Sequence, residues 1–261
     1  MKTIKTLAIS TLFLLFMGCG GPKIAVLSSD KIQEVKSAKV ATNFHMVNKK
    51  VNYIETLFRG LWLETKSSSM DISGIWNPDS DFNAQVNSNL SKLQLNNSQL
   101  VELGLQEELL NQYHEELNAD YIENSVGEHS EIPGTSLPPA AEYFKKYPQV
   151  SSFESVRNYL LENGVDYYFE YLATDIYGNA PGYGMVIVTM PSQMRLIDLR
   201  TKEVVWTDFS WTHEVYQLGG DLKKLEEDNL KILKEGLSVG LNEVMDIQRI
   251  GPSFGITPPK S

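Results

Sequence analysis

Apolar positions in this chain recur with two periods, and the change from one to the other divides the sequence into helical and extended stretches. Over residues 166–174 the side chains alternate, with Tyr167, Phe169 and Tyr171 on one face and Tyr168 and Leu172 on the other. That two-residue period predicts a strand. Residues 185–190 form a continuous apolar run, as in a strand buried on both faces. Residues 193–199 and 203–211 are joined by Arg200-Thr201-Lys202, a loop of hairpin length. Gly178, Asn179, Pro181, Gly182 and Gly184 supply turn chemistry between them. Residues 164–215 therefore read as an antiparallel meander, around which the rest of the chain is organised.

The helical period dominates the flanks. Asn77-Pro78 predicts a helix start, because Asn can cap and Pro suits the first helical position. Phe82, Val86, Leu90 and Leu93 then share one face. Ser98 can begin another helix carrying Leu100, Leu103, Leu110, Tyr113 and Leu117 inward, with Glu107, Glu108, Glu115 and Glu116 toward water. Ser151 and Glu154 have capping-box spacing, and Gly164 is placed to end the helix they open. A long helix is predicted over 221–246, where Gly236 and Gly240 share a ridge that allows close packing on a sheet. Residues 39–69 mix both periods and predict a short helix followed by a strand near 59–67.

These elements define an α/β (α+β) fold: an antiparallel-rich mixed sheet with helices packed on it. A single domain is expected over 39–250, with a long connection near 123–150 marked by Gly127, Pro133-Gly134, Pro138-Pro139 and Pro148. Residues 251–261 carry three prolines and read as a flexible tail. No internal repeat is visible.

Charge narrows the partners. The 261 residues carry a formal charge of −10, against the basic face that phosphate binding needs, so no nucleic-acid partner is expected. Charge-driven adhesion to anionic lipid is disfavoured on the same ground. The first eighteen residues change the picture further. Lys2 and Lys5 precede the ten-residue apolar run Leu7 to Phe16, which spans about 15 Å, half of a bilayer core. This is a signal-peptide core over 1–18 and not a transmembrane helix. Removing it takes two lysines and no acids, which leaves −12.

Leu15-Phe16-Met17-Gly18-Cys19 follows, and Cys19 is the one cysteine of the chain. The segment resembles the lipobox of bacterial lipoproteins, with the small residue present as Gly18 and a departure at Phe16, where leucine is usual. The resemblance implies a lipidated Cys19, residues 19–38 as a tether, and two or three acyl chains, enough for stable anchoring where one is marginal. With Gly20 after the cysteine, the enterobacterial sorting rule implies the outer membrane, with the body facing the periplasm. Residues 164–167 (Gly-Val-Asp-Tyr) and 195–206 (Arg-Leu-Ile-Asp-Leu-Arg-Thr-Lys-Glu-Val-Val-Trp) also resemble a recurring periplasmic α/β domain. That domain is found in the N-terminal part of TolB and in curli-secretion and penicillin-binding-protein activator lipoproteins. It implies a binding or assembly module whose partner is another envelope protein or a second copy of itself.

No catalytic residue is singled out. His45, His114, His129 and His213 lie far apart and in no paired metal-ligand spacing, so neither a metal site nor a cofactor is expected. His114 falls beside Glu115 and Glu116, on what reads as a solvated acidic face. Asp79-x-Asp81-x-Asn83 imitates a calcium loop, but Ala84 stands where glycine is needed and Leu90 where glutamate is needed. An anchored hydrolase using a carboxylate pair on cell wall or polysaccharide is the alternative reading, although no spacing singles out a pair. Among Trp62, Trp76, Trp206 and Trp211, Trp76 precedes a capped helix in a predicted loop and is the candidate exposed partner-binding residue. The competing reading packs it over the helix start.

Overall fold

The computed structural model describes residues 26–59, 62–125, 145–182 and 184–257. The signal peptide, Cys19 and most of the long connection lie outside the described residues. The chain opens with α1 (Ser29–Ser37), capped by the Ser28 hydroxyl. Then follow β1 (Lys39–Met46), β2 (Lys50–Arg59), β3 (Trp62–Asp71), α2 (Pro78–Ser91), β4 (Asn96–Gln99) and α3 (Glu107–Ser125). After the connection come α4 (Ser151–Glu162), β5 (Tyr167–Ala173), β6 (Ile176–Gly182), β7 (Met185–Asp198) and β8 (Glu203–Gln217). A 3-10 turn (Leu222–Leu225), α5 (Glu227–Val244), α6 (Ile247–Ile250) and a closing 3-10 turn (Gly251–Phe254) end it.

The eight strands make one mixed sheet built on long, interrupted ribbons. β8 pairs antiparallel along the length of β7, and β7 pairs antiparallel with β5 and then β6 on its other side. β1 runs parallel to β5 and β2 parallel to β6. Beyond them, short β4 extends β1 in parallel and β3 extends β2 as an antiparallel hairpin. Between the pairs Met46↔Ala173 and Val51↔Ile176 the first ribbon carries four residues and the second two. The excess loops out at 47–50, a bulge that re-aims the strand.

Helices cover both faces of the sheet. One core gathers Val40, Phe44, Met46, Tyr167, Phe169, Tyr171 and Trp206 under α2 and α5. The other gathers Ala41, Tyr168, Leu172 and Ile197 under α3 and α4. The alternation of β5 is as predicted, and all seven of its residues are buried. Met185, Ile187 and Thr189 are only half-buried, so β7 is not a strand enclosed on both faces over this half. None of residues 185–190 contributes to the core beneath α3 and α4.

Several boundaries depart from the sequence-based expectations. Part of the expected tether is α1, where Val35 is buried and the Lys31 ammonium reaches Tyr167 Oη at 3.3 Å and Asp198 Oδ2 at 3.5 Å. The expected tail packs as far as Phe254, buried against Trp206 at 5.2 Å. The short helix expected within 39–59 is the strand pair β1 and β2, and no helix begins at Ser98, which lies in β4. The helix expected from 221 starts at Glu227, after the 3-10 turn, and Asp228, Asn229 and Leu230 in its first turn have left-handed backbone. α4 begins at Ser151 as predicted, but not through its own capping box. Its N-cap, Val150, has no side-chain acceptor to offer, and Glu116 of α3 does the capping.

Candidate functional site

Residues 41, 43, 45 and 47 of the first ribbon point toward α3 and residues 40, 42, 44 and 46 toward α2, as strand geometry requires. β4 ends opposite Thr42, so the edge of β1 beyond that point lacks a strand neighbour. α2 completes it with side chains one helical turn apart. Asn83 Oδ1 accepts from Phe44 N at 2.7 Å, Asn83 Nδ2 donates to Phe44 O at 3.2 Å, and Asp79 Oδ1 accepts from Met46 N at 2.8 Å. The residues that imitate a calcium loop thus act as a substitute strand edge. Asp81, the third of them, accepts the Trp76 indole N–H at 2.7 Å.

At the carboxyl end of β1, where α2 and α3 pass to opposite faces of the sheet, a cleft of about 830 Å³ opens. Clefts in open α/β sheets form at such divergence points. Its floor holds two imidazoles. His45 and His114 stack with ring centroids 3.7 Å apart and planes at 16°. His45 Nδ1 faces Asp79 Oδ2 at 3.0 Å and its Nε2 faces Asn118 Oδ1 at 2.7 Å. Asn43 Nδ2 donates to His114 Nε2 at 2.9 Å. His114 and Asn118 lie one turn apart on α3 and so project to the same side. Lys49, in the bulge between β1 and β2, places its ammonium 3.2 Å from Asp79 Oδ2 and 3.1 Å from Asn77 Oδ1.

The charge states follow from these neighbours. Burial pushes the His114 imidazole well below its ordinary value and the nearby His45 acts in the same sense, so the ring is neutral at pH 7. Burial would raise the Asp79 carboxyl, but the His45 hydrogen bond and the charges of His45 and Lys49 outweigh it and hold the group at about 2. The site therefore presents a fixed carboxylate, a neutral imidazole and a ring of side-chain amides.

The expected solvated His114 is buried, with 9% of its surface exposed. No paired metal-ligand spacing is present in the sequence, yet the fold brings three donor side chains together. His45, Asp79 and His114 each offer one ligand atom, and the three atoms lie within 4.8 Å of one another. Trp76 is corrected as well. It is 5% exposed, packs edge-on against Phe82 at 5.6 Å, and offers no surface to a partner. Among the described side chains, Trp211 on β8, 40% exposed, is the indole that faces water. His213 is exposed on the same strand, and His129 and Cys19 lie outside the described residues. Sequence spacing could not find the histidine cluster. One signal was present, a polar stripe of Asn111, His114 and Asn118 on a helix that buries Tyr113 and Leu117.

No protein-family model matches the chain and no curated protein matches it. Solved structures similar in outline include the hypothetical protein CT253 from Chlamydia trachomatis, at 10% identity and a TM-score of 0.40 over 83% of this chain and 97% of that one. Lipoprotein GNA1162 from Neisseria meningitidis matches at 12% identity and a TM-score of 0.33, over 79% and 99% of the two chains. The C-terminal domain of LpoB from Salmonella enterica matches at 10% identity and 0.26, over 71% and 94%. Scores below 0.5 describe outline alone, and no chemistry is carried over from them.

Proposed function

We propose that this protein is a lipid-anchored module of the cell envelope, held in the outer membrane through Cys19, whose α/β body binds another envelope component without transforming it. The binding surface is the cleft between α2 and α3. Its volume of about 830 Å³ is in the range of ligand sites, roughly 300–1,000 Å³. It converges the amides of Asn43, Asn111 and Asn118 with Lys49, Lys50 and Asp71 at its margin, which suits hydrogen bonding to a polar partner. That convergence is the observation that carries the reading. The lipobox-like segment before Cys19 supports the anchor, and the charge of the mature chain leaves acylation, not basic residues, to hold it there.

Polysaccharide cleavage by a carboxylate pair needs one acid raised toward neutrality. Asp79, the least exposed carboxyl of the cleft, is held at about 2 and does not supply that acid. Crosslinking the lipidated protein in its own membranes, followed by pull-down and mass spectrometry, tests the reading. A stoichiometric envelope protein or a second copy of the chain is expected. Recovery of glycan or wall fragments alone would contradict it. Cys19→Ala is expected to release the protein into the soluble fraction, and retention in the membrane would remove the anchor.

A further inference from the structure

We propose that His45, Asp79 and His114 form a binding site for one divalent cation of the zinc class at the floor of the cleft. The inference rests on the cleft being a binding site, and it supplies the chemistry of that site. Two imidazoles and one carboxylate are the donor set that borderline divalent metals take, leaving a further position for water or a bound group. Here that position would face the open cleft.

Three features beyond the donor set point the same way. The first is the orientation of the rings. His45 Nε2 faces the Asn118 amide oxygen at 2.7 Å, so its N–H has an acceptor and Nδ1 is left to ligate, the usual outer-shell arrangement of metal-bound histidine. His114 Nε2 instead accepts from Asn43 Nδ2 at 2.9 Å, and that amide must turn before Nδ1 can ligate. The second is spacing. His45 Nδ1 and Asp79 Oδ2 stand 3.0 Å apart, close to the roughly 3.3 Å between neighbouring ligands at metal bonds of about 2.0–2.1 Å. His114 closes the set within 4.8 Å, and its ring must turn out of the stack with His45 before both rings can aim a nitrogen at one ion. The third is that a cation already stands there. The Lys49 ammonium, on the looped-out bulge and 28% exposed, is bound to Asp79 Oδ2 and to Asn77. It neutralises the carboxylate and can swing to solvent when a metal replaces it.

The proton balance is simple. The metal takes the place of the hydrogen between His45 Nδ1 and Asp79, and the neutral ring keeps its one proton on Nε2, facing Asn118 Oδ1. Ligation by Nδ1 of His114 moves its proton to Nε2, and the Asn43 amide turns its Oδ1 to accept it.

The test uses the full mature protein in detergent, stripped with chelator and titrated with Zn²⁺ and Co²⁺. One equivalent is expected by calorimetry, with visible Co²⁺ absorption. X-ray absorption of the zinc form should count two imidazoles. His114→Gln and Asp79→Asn should each weaken uptake by more than about tenfold, and Asn118→Ala by about 10- to 100-fold. Lys49→Ala removes a half-buried ammonium from the cleft margin and should tighten binding. Absence of stoichiometric uptake by the folded protein would overturn the proposal, as would zinc held by sulfur or by fewer than two imidazoles. A partner captured through the cleft without metal uptake would end this inference and leave the binding reading standing. Metal uptake with no partner would do the reverse.

Discussion

Glu116 shows how one side chain joins two elements. Its Oε2 accepts from Ser152 N at 2.9 Å, from Ser152 Oγ at 2.8 Å and from Ser151 Oγ at 3.0 Å, so a carboxylate of α3 caps the start of α4. The Ser152 backbone hydrogen bond, ahead of the hydroxyls, lowers its pKa from 4.5 to about 2. A carboxyl with a depressed folded-state value stabilises the fold above its unfolded value and loses that contribution as pH falls toward the folded one. The Ser152 amide should therefore lose hydrogen-exchange protection between about 4.5 and 2. Glu116→Gln should begin less protected and be flat across that window. A larger effect belongs to Arg195, whose Nε and Nη2 bind Glu170 Oε2 at 2.7 and 2.6 Å in the sheet interior. Tyr113 and Tyr168 donate to the other oxygen at 2.6 and 3.1 Å. Arg195→Met leaves Glu170 buried without its countercharge and should cost about 3–5 kcal/mol in urea denaturation. In the sequence both charges look like interruptions of strands. They are cross-strand partners on β5 and β7, a pairing visible only once the register is known.

At the scale of elements, α5 meets the sheet through glycine. A Cβ on Gly240 would lie 2.7 Å from Thr212 Cβ and 3.3 Å from its Cα, and one on Gly236 would strike the Tyr216 hydroxyl. Gly240→Ala should cost about 1–3 kcal/mol by overpacking, read as a lower thermal midpoint. That ridge was legible in the sequence because the spacing of its two glycines is local. The starts of α2 and α4 and the alternation of β5 were legible for the same reason. Of the β2–β3 hairpin only β3 was, as the strand near 59–67. β2 was read as helix because Val51, Ile54, Leu57 and Phe58 recur at helical spacing. α1 was read as tether because what holds it is remote. Val35 enters the core, and Glu34 pairs with Arg200, distant in sequence. The candidate site was illegible for a stronger form of that reason. His45, Asp79 and His114 come from a strand end and two helices on opposite faces, and the sheet topology alone brings them within reach.

The proposal for the whole molecule is an acyl anchor at Cys19 joined to a body with a polar cleft between α2 and α3. The binding reading makes a directional claim, that contacts fall at the cleft and not over the molecule at large. Among the described residues no helix is long and apolar enough to cross a membrane, and in this account the lipid holds the chain at the bilayer. Asn111 and Lys231 are both exposed, the first on the cleft wall and the second on α5. The most direct measurement places a photo-crosslinking amino acid at each position in turn, in cells, and compares the adducts. The account predicts a discrete adduct from position 111, lost with Asn118→Ala, and none from position 231. Equal labelling from both positions, or an adduct from 231 alone, would contradict it.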